Sequence, residues 1–229
     1  MTRSVLLLAG GRSTRLGREK PWTVVGGRTL FARQLGAARD MADLVVSVRD
    51  AGPFARALLE ARWSRAGENA FALEGRRLRL IPDPVPGLGP VAGLAAGLAA
   101  AEGDGVAVFS ADLPFVTAGL IEGLLAALED GRHVDPDLDA VVPVVEGRAQ
   151  PLCAAYRRRV AGAASAWLVS APEPRGPSVL GLLERLRVRR VTAVAPLGPA
   201  ALADATRGID TPEDLAWARA RAPEGDAAP

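Results

Sequence analysis

Five short apolar runs set the terms of the fold: Val5–Ala9, Leu44–Val48, Leu78–Ile81, Val106–Phe109 and Ala140–Val145. Each has the length of a buried strand. Between them lie segments with helical spacing at Thr29–Arg39, Pro53–Trp63, Pro90–Ala101 and Ala118–Leu128, with Pro53 suited to a first helical turn. Strand alternating with helix predicts an α/β fold, a doubly wound and mostly parallel sheet in a single domain. The rest is less regular. It predicts a short strand at Pro151–Ala155, helices at Tyr156–Trp167 and Ser178–Leu186, a strand at Val188–Val194 and a last helix at Glu213–Arg221. Ser64–Arg77 and Gly131–Asp139 read as loops or a hairpin. The domain is expected to span residues 1–221, with 222–229 as a flexible C-terminal tail.

Rare residues narrow the chemistry. One cysteine (Cys153) and one histidine (His133) leave no disulfide framework, no Cys-rich zinc site and no His-based metal cluster. The formal charge of +2 comes from 28 basic and 26 acidic residues. So near a balance makes no case for nucleic acid or a membrane surface. No run reaches the roughly 18 apolar residues of a bilayer span, and no signal-peptide pattern opens the chain. The expected compartment is the cytoplasm. Lys20 is the only lysine. A chain so biased toward arginine singles out the one position that carries a compact, flexible ammonium.

Ligands of doubly wound sheets sit beyond the carboxyl ends of the strands, so the chemistry is sought in the loops there. The first strand runs into Leu8-Ala9-Gly10-Gly11, followed by Ser13, Thr14, Arg15 and Lys20. Paired glycines let backbone N–H groups approach a phosphate, and the cations add charge. Five residues separate Gly11 from Gly17, and Arg18 follows, so this is neither the ATPase phosphate loop nor the dinucleotide fingerprint. The third strand leads to Asp83, then to Gly89 and Gly93, which again let a ligand near the backbone. Gly93 could equally serve helix packing. After the fourth strand comes Ser110-Ala111-Asp112-Leu113-Pro114, whose carboxylate suits a hard divalent cation such as Mg²⁺. Thr117 is the better placed helix cap. Near the C-terminus, Thr211 before Pro212 is a helix start, which leaves Asp210 free as a second ligand of the same cation. The alternating Asp135, Asp137 and Asp139 mimic a calcium loop but lack its glycine, and read as a solvated loop. His133 reads as exposed.

Taken in order, these loops resemble those of nucleotidyltransferases that activate phosphorylated acceptors, and in particular the molybdenum cofactor guanylyltransferase family. Its typical opening, Leu-Ala-Gly-Gly-x-Ser-x-Arg-Met-Gly-x-Asp-Lys, is matched by residues 8–20 with Leu16 and Glu19 as the main changes. Gln150-Pro151-Leu152 and Ala154-Ala155-Tyr156 also look like that family. The resemblance implies a Rossmann-like nucleotidyltransferase fold. It also implies Leu8, Ala9 and Gly10 against a guanine nucleotide, Lys20 at its phosphates, Asp83 at the nucleoside end, and Asp112 on Mg²⁺. Gly10 favours the guanylyl branch, since many cytidylyl and sugar-nucleotide relatives have Ala there. Two departures stand out. Ser47-Val48-Arg49 replaces the family's Asn-x-Asn, and Gly208-Ile209-Asp210 replaces a second one.

The reaction this implies is Mg-dependent transfer of GMP from GTP to the terminal phosphate of molybdopterin or the molybdenum cofactor, releasing pyrophosphate. Lys20, Arg15 and Asp112 carry it, and a transient protein that delivers the cofactor is an expected partner. The alternatives are another base or acceptor, such as CTP to molybdopterin or a sugar phosphate or phospho-acid, and a non-catalytic nucleotide-binding relative.

Overall fold

Val5, Leu6 and Leu7 are shut away from solvent, and the fold is built around the strand that holds them. The computed structural model describes residues 2–10, 19–83, 88–171 and 177–222. In chain order these form β1 (Arg3–Leu8), a 3-10 turn (Lys20–Trp22), β2 (Val24–Val25), β3 (Arg28–Thr29), α1 (Leu30–Ala37), β4 (Asp43–Val48) and α2 (Ala51–Glu60). Next come β5 (Ser64–Arg65), β6 (Ala70–Leu73), β7 (Arg76–Pro82), α3 (Pro90–Ala100), β8 (Gly105–Ser110) and α4 (Ala118–Val134). The last are β9 (Ala140–Val145), β10 (Arg148–Ala149), β11 (Cys153–Arg157), α5 (Val160–Ser170), α6 (Val179–Leu183), β12 (Val188–Val191), α7 (Pro199–Thr206) and α8 (Pro212–Arg221).

The main sheet runs β10-β9-β11-β8-β1-β4-β7-β6-β5, with β12 beside β9. β1 lies parallel to both β4 and β8, and β4 parallel to β7. The expected mostly parallel, doubly wound sheet is therefore present. β11 departs from it, pairing antiparallel with both β8 and β9. Alternate residues of β1 face opposite layers, as the strand period requires. Val5 and Leu7 pack in one core with Phe31 of α1, Phe54 of α2 and Leu120 and Leu124 of α4. Leu6 and Leu8 pack in the other with Leu94 and Leu98 of α3 and Trp167 of α5. None of the described helices is long and apolar enough to cross a membrane.

Several expected boundaries move. The helix expected from Tyr156 begins at Val160, because Tyr156 and Arg157 complete β11 against β8. Tyr156 is fully buried there, so sheet pairing overrides the helical spacing. The loop expected from Gly131 is helical to Val134, since α4 keeps burying Leu128 and Gly131. His133 is exposed in its last turn. The 64–77 region is a hairpin, with β6 antiparallel to both β5 and β7. α7 and the small β2–β3 hairpin were not foreseen. Residues 223–229 of the expected tail lie outside the described residues.

The edge of the sheet where β1 and β4 begin is closed by a buried polar knot. Asp43 accepts hydrogen bonds from Ser4 Oγ at 2.5 Å and from the Glu102 amide at 2.9 Å, and it pairs with Arg79. The Gly103 amide in turn donates to Ser4 Oγ at 2.7 Å. Asp43→Ala would strand all of these groups. It is expected to cost about 3 kcal/mol, read as a lower urea midpoint at unchanged slope.

Candidate active site

The carboxyl ends of β1, β4, β7 and β8 lie side by side, and the chain leaves each in a way set by backbone pairing. The Ala9 amide donates to Ser47 O at 2.8 Å, Asp83 N to Val48 O at 2.8 Å, and Ala111 N to Leu8 O at 3.0 Å. Gly10, Asp83 and Asp112 are thereby drawn to the mouth around β1. This is where the strand order reverses, with β4 and β7 on one side and β8 on the other, the place where open α/β sheets bind ligands.

Lys20 reaches this mouth from a separate anchor. Pro21 is buried, and Trp22 packs on Phe31 and Phe54 with ring centroids 5.7 and 4.9 Å away. Thus the 3-10 turn is pinned to α1 and α2, and the Lys20 stem projects from a fixed base. Its ammonium donates to Asp112 Oδ2 at 2.8 Å and to Asp210 Oδ1 at 2.5 Å. Burial lowers the Lys20 pKa. Attraction to Asp112 and hydrogen bonds to both carboxylates outweigh that and hold it above the ordinary lysine value.

The two carboxylates meet because the 208–210 segment lies along Asp112. The Ile209 amide donates to Asp112 O at 3.0 Å, and the Gly208 Cα faces the Asp112 carboxylate. Asp210 is steadied by Asp214, whose Oδ2 accepts the Asp210 amide at 3.2 Å while it completes the Thr211 capping box. Thr211 and Thr117 both cap their helices as expected. Gln34 contributes a support that the sequence did not advertise. Its buried amide donates to Ser110 O at 2.8 Å and Leu113 O at 3.2 Å, bracing the loop that carries Asp112. The only sequence signal is a polar residue on the inner face of α1.

On the other side of β1, Gly10 and Asp83 are in close contact. A Cβ on Gly10 would run into the Asp83 carboxylate. Ser47 Oγ donates to Asp83 Oδ1 at 2.8 Å, and Arg49 Nη2 to Gly10 O at 3.3 Å. Leu8 is buried and Ala9 half-buried at the strand end. Gly89 has φ +72° and caps α3, a conformation that favours glycine. Gly93 is buried against Ser47 and Leu8, so its packing role is the one visible. Gly11 and Arg15 lie outside the described residues. Cys153 is buried in β11, where burial pushes its thiol up.

Among the described residues no group of three His, Cys, Asp or Glu converges as a metal cage. Asp112 and Asp210 nevertheless face a single cation, now the Lys20 ammonium. Two carboxylates, completed by phosphate oxygens and water, are a donor set that Mg²⁺ accepts, so these residues fit that ion.

Residues 5–186 match the family model described as the MobA-like NTP transferase domain. A protein of Natronomonas pharaonis named "Probable molybdenum cofactor guanylyltransferase" is 31% identical over 220 residues, covering 96% of this chain and 98% of the relative. A "Molybdenum cofactor guanylyltransferase" of Rhizobium leguminosarum bv. trifolii is 31% identical over 220 residues, covering 93% and 90%. The crystal structure of molybdopterin-guanine dinucleotide biosynthesis protein A from Archaeoglobus fulgidus superposes with a TM-score of 0.68 at 24% identity, covering 95% and 97%.

Because the folded pKa of Lys20 is raised, its stabilisation is complete below the unfolded lysine value and is lost only as pH climbs through the folded one. The stability gap between wild type and Lys20→Met should therefore stay constant through neutral pH and shrink only above about pH 10. Urea titrations at several pH values check this; a gap already closing near neutrality would contradict it.

Proposed function

Since the chain belongs to the MobA-like NTP transferase family, we propose that it transfers GMP from GTP to the terminal phosphate of molybdopterin or its molybdenum-loaded form, releasing pyrophosphate. The names of its relatives support a nucleotidyltransferase role in molybdenum cofactor biosynthesis. The observation that carries the reading is the meeting of Lys20, Asp112 and Asp210, far apart in sequence, at the mouth beside β1.

An oxygen of the acceptor phosphate attacks the α-phosphorus of GTP in line. The bond to the β-phosphate oxygen breaks, and pyrophosphate takes the electron pair. The nucleophile is already ionised, so no general base is required. Catalysis is then positioning plus electrostatic stabilisation. Lys20 supplies the ammonium for the triphosphate, exchanging carboxylate partners for phosphate oxygens on its flexible stem. Arg15 and the Gly10 and Gly11 amides add positive potential there. Leu8, Ala9 and Asp83 line the nucleoside end, and Gly89 lets the ligand approach the start of α3. Asp112 and Asp210 would hold Mg²⁺, which when bound supplies charge against the α-phosphate. A transient partner would hand over the acceptor.

Thermal melts with GTP, CTP, ATP, UTP and TTP, each with and without Mg²⁺, test the base. GTP at a hundredfold excess over its Kd should add about 2.7 kcal/mol of stability. A shift by CTP instead would make the enzyme a cytidylyltransferase, and no shift with any nucleotide would overturn the catalytic reading. Lys20→Ala should lower turnover by about 10²–10³, the usual loss for one stabilising donor. Near-wild-type activity would remove Lys20 from the phosphate site.

A further inference from the structure

Ser47 is a hydroxyl in the middle of an apolar neighbourhood. It sits near the end of β4, essentially without solvent exposure, between Leu8 of β1 and Ile81 of β7. A buried hydroxyl needs a partner, and Ser47 spends its hydrogen on one oxygen of one carboxylate, Asp83 Oδ1, at 2.8 Å. The space for this bond is made by α3. A Cβ on Gly93 would come within 2.6 Å of Ser47 Oγ and push it from its place. The same carboxylate lies against Gly10, and the oxygen nearest to where a Gly10 Cβ would stand is Oδ2, not the one held by Ser47. One oxygen is thus tied to the sheet while its twin lies over the glycine at the mouth.

We propose that Ser47 is a positioning residue for base recognition: by holding Asp83 Oδ1 it fixes the carboxylate so that Oδ2, over Gly10, accepts N–H donors of the nucleobase. This rests on the reading above that Asp83 meets the nucleoside. An ionised carboxylate only accepts hydrogen bonds, so it selects a base edge that donates. Guanine offers a ring N–H and an adjacent amino group. Hypoxanthine keeps the ring N–H and lacks the amino group, which makes inosine triphosphate the informative competitor. A carboxylate already held by Ser47 loses less freedom when the base arrives. The pairing accounts for a sequence departure as well, since Ser47 stands in the segment where the resembled family has Asn-x-Asn.

The test is a double-mutant cycle with Ser47→Ala, Asp83→Asn and the pair, reading Kd for GTP and ITP by calorimetry and KM against kcat in the transfer assay. Ser47→Ala should weaken GTP binding about tenfold, the scale of one hydrogen bond to a charged group. It should narrow the GTP-to-ITP ratio and raise KM with kcat little changed. In the Asp83→Asn background it should cost nothing more. Ser47→Cys, which keeps the bulk and donates weakly, should shift the ratio the same way and covers the case of a poorly folding alanine variant. An unchanged ratio in these variants, an equal loss for both nucleotides, or full additivity with Asp83→Asn would overturn the proposal. A wild type that prefers another nucleotide overturns the guanylyl reading instead; the Ser47 proposal is then judged by whether Ser47→Ala erodes that preference, and it falls if the preference is unchanged.

Discussion

Everything in this molecule hangs on a six-residue strand with no free edge and no free face. β1 is paired in parallel on both sides and covered by helices above and below. Parallel neighbours cannot be joined by tight turns, so the chain must cross over through helices and return. Each crossover starts from the carboxyl end of a strand, and these ends gather along one edge. The described residues of those loops include partly exposed ones such as Gly10 and Asp83, while β1 below them is paired on both sides. That separation lets loops carry charged groups without unsettling the core.

The mouth divides about β1. Toward β8 lies the ionic cluster, Lys20 between Asp112 and Asp210. Toward β4 and β7 lies the neutral-to-acidic pair, Ser47 and Asp83, against Gly10. In the proposed reading a nucleotide spans the strand end, with phosphates on the first side and base on the second. The two sides are built from different materials. The ionic side is assembled from an aromatic-anchored turn and a C-terminal segment, with Gln34 and Asp214 as braces. The base side comes directly from strand ends, so its geometry inherits the rigidity of the sheet.

Much of this was legible beforehand. The apolar runs revealed every strand of the parallel core, because β1, β4 and β8 are buried along nearly their whole length and read as near-continuous apolar runs, while β7 keeps Leu78 and Leu80 inward to either side of Arg79. The loops after those strands pointed to Lys20, Asp83 and Asp112, and the helix start at Thr211-Pro212 pointed to Asp210, because ligands of such sheets sit beyond the strand ends and Lys20 is the single lysine. What stayed hidden depends on tertiary pairing. Tyr156 and Arg157 look helical until β8 and β9 claim them as β11. Ser47 looks like an ordinary strand residue until Asp83 is placed beside it, and Gln34 looks like part of a helix face until the Asp112 loop is laid over it. In each case the deciding partner is distant in sequence, so no local pattern could announce it.

The clasp on Lys20 also has a chemical consequence. This is the sole side-chain amine of the protein; every other residue in its Lys and Arg total is an arginine, whose guanidinium ordinary acylating reagents leave alone. Held protonated between two carboxylates, the amine is a poor nucleophile. Whatever draws it out of that grip or covers it changes its reactivity, so one acylation rate reports the occupancy of the mouth. By using arginine everywhere else, the chain has left its candidate active site with the one side-chain amine that can form a stable amide with such a reagent.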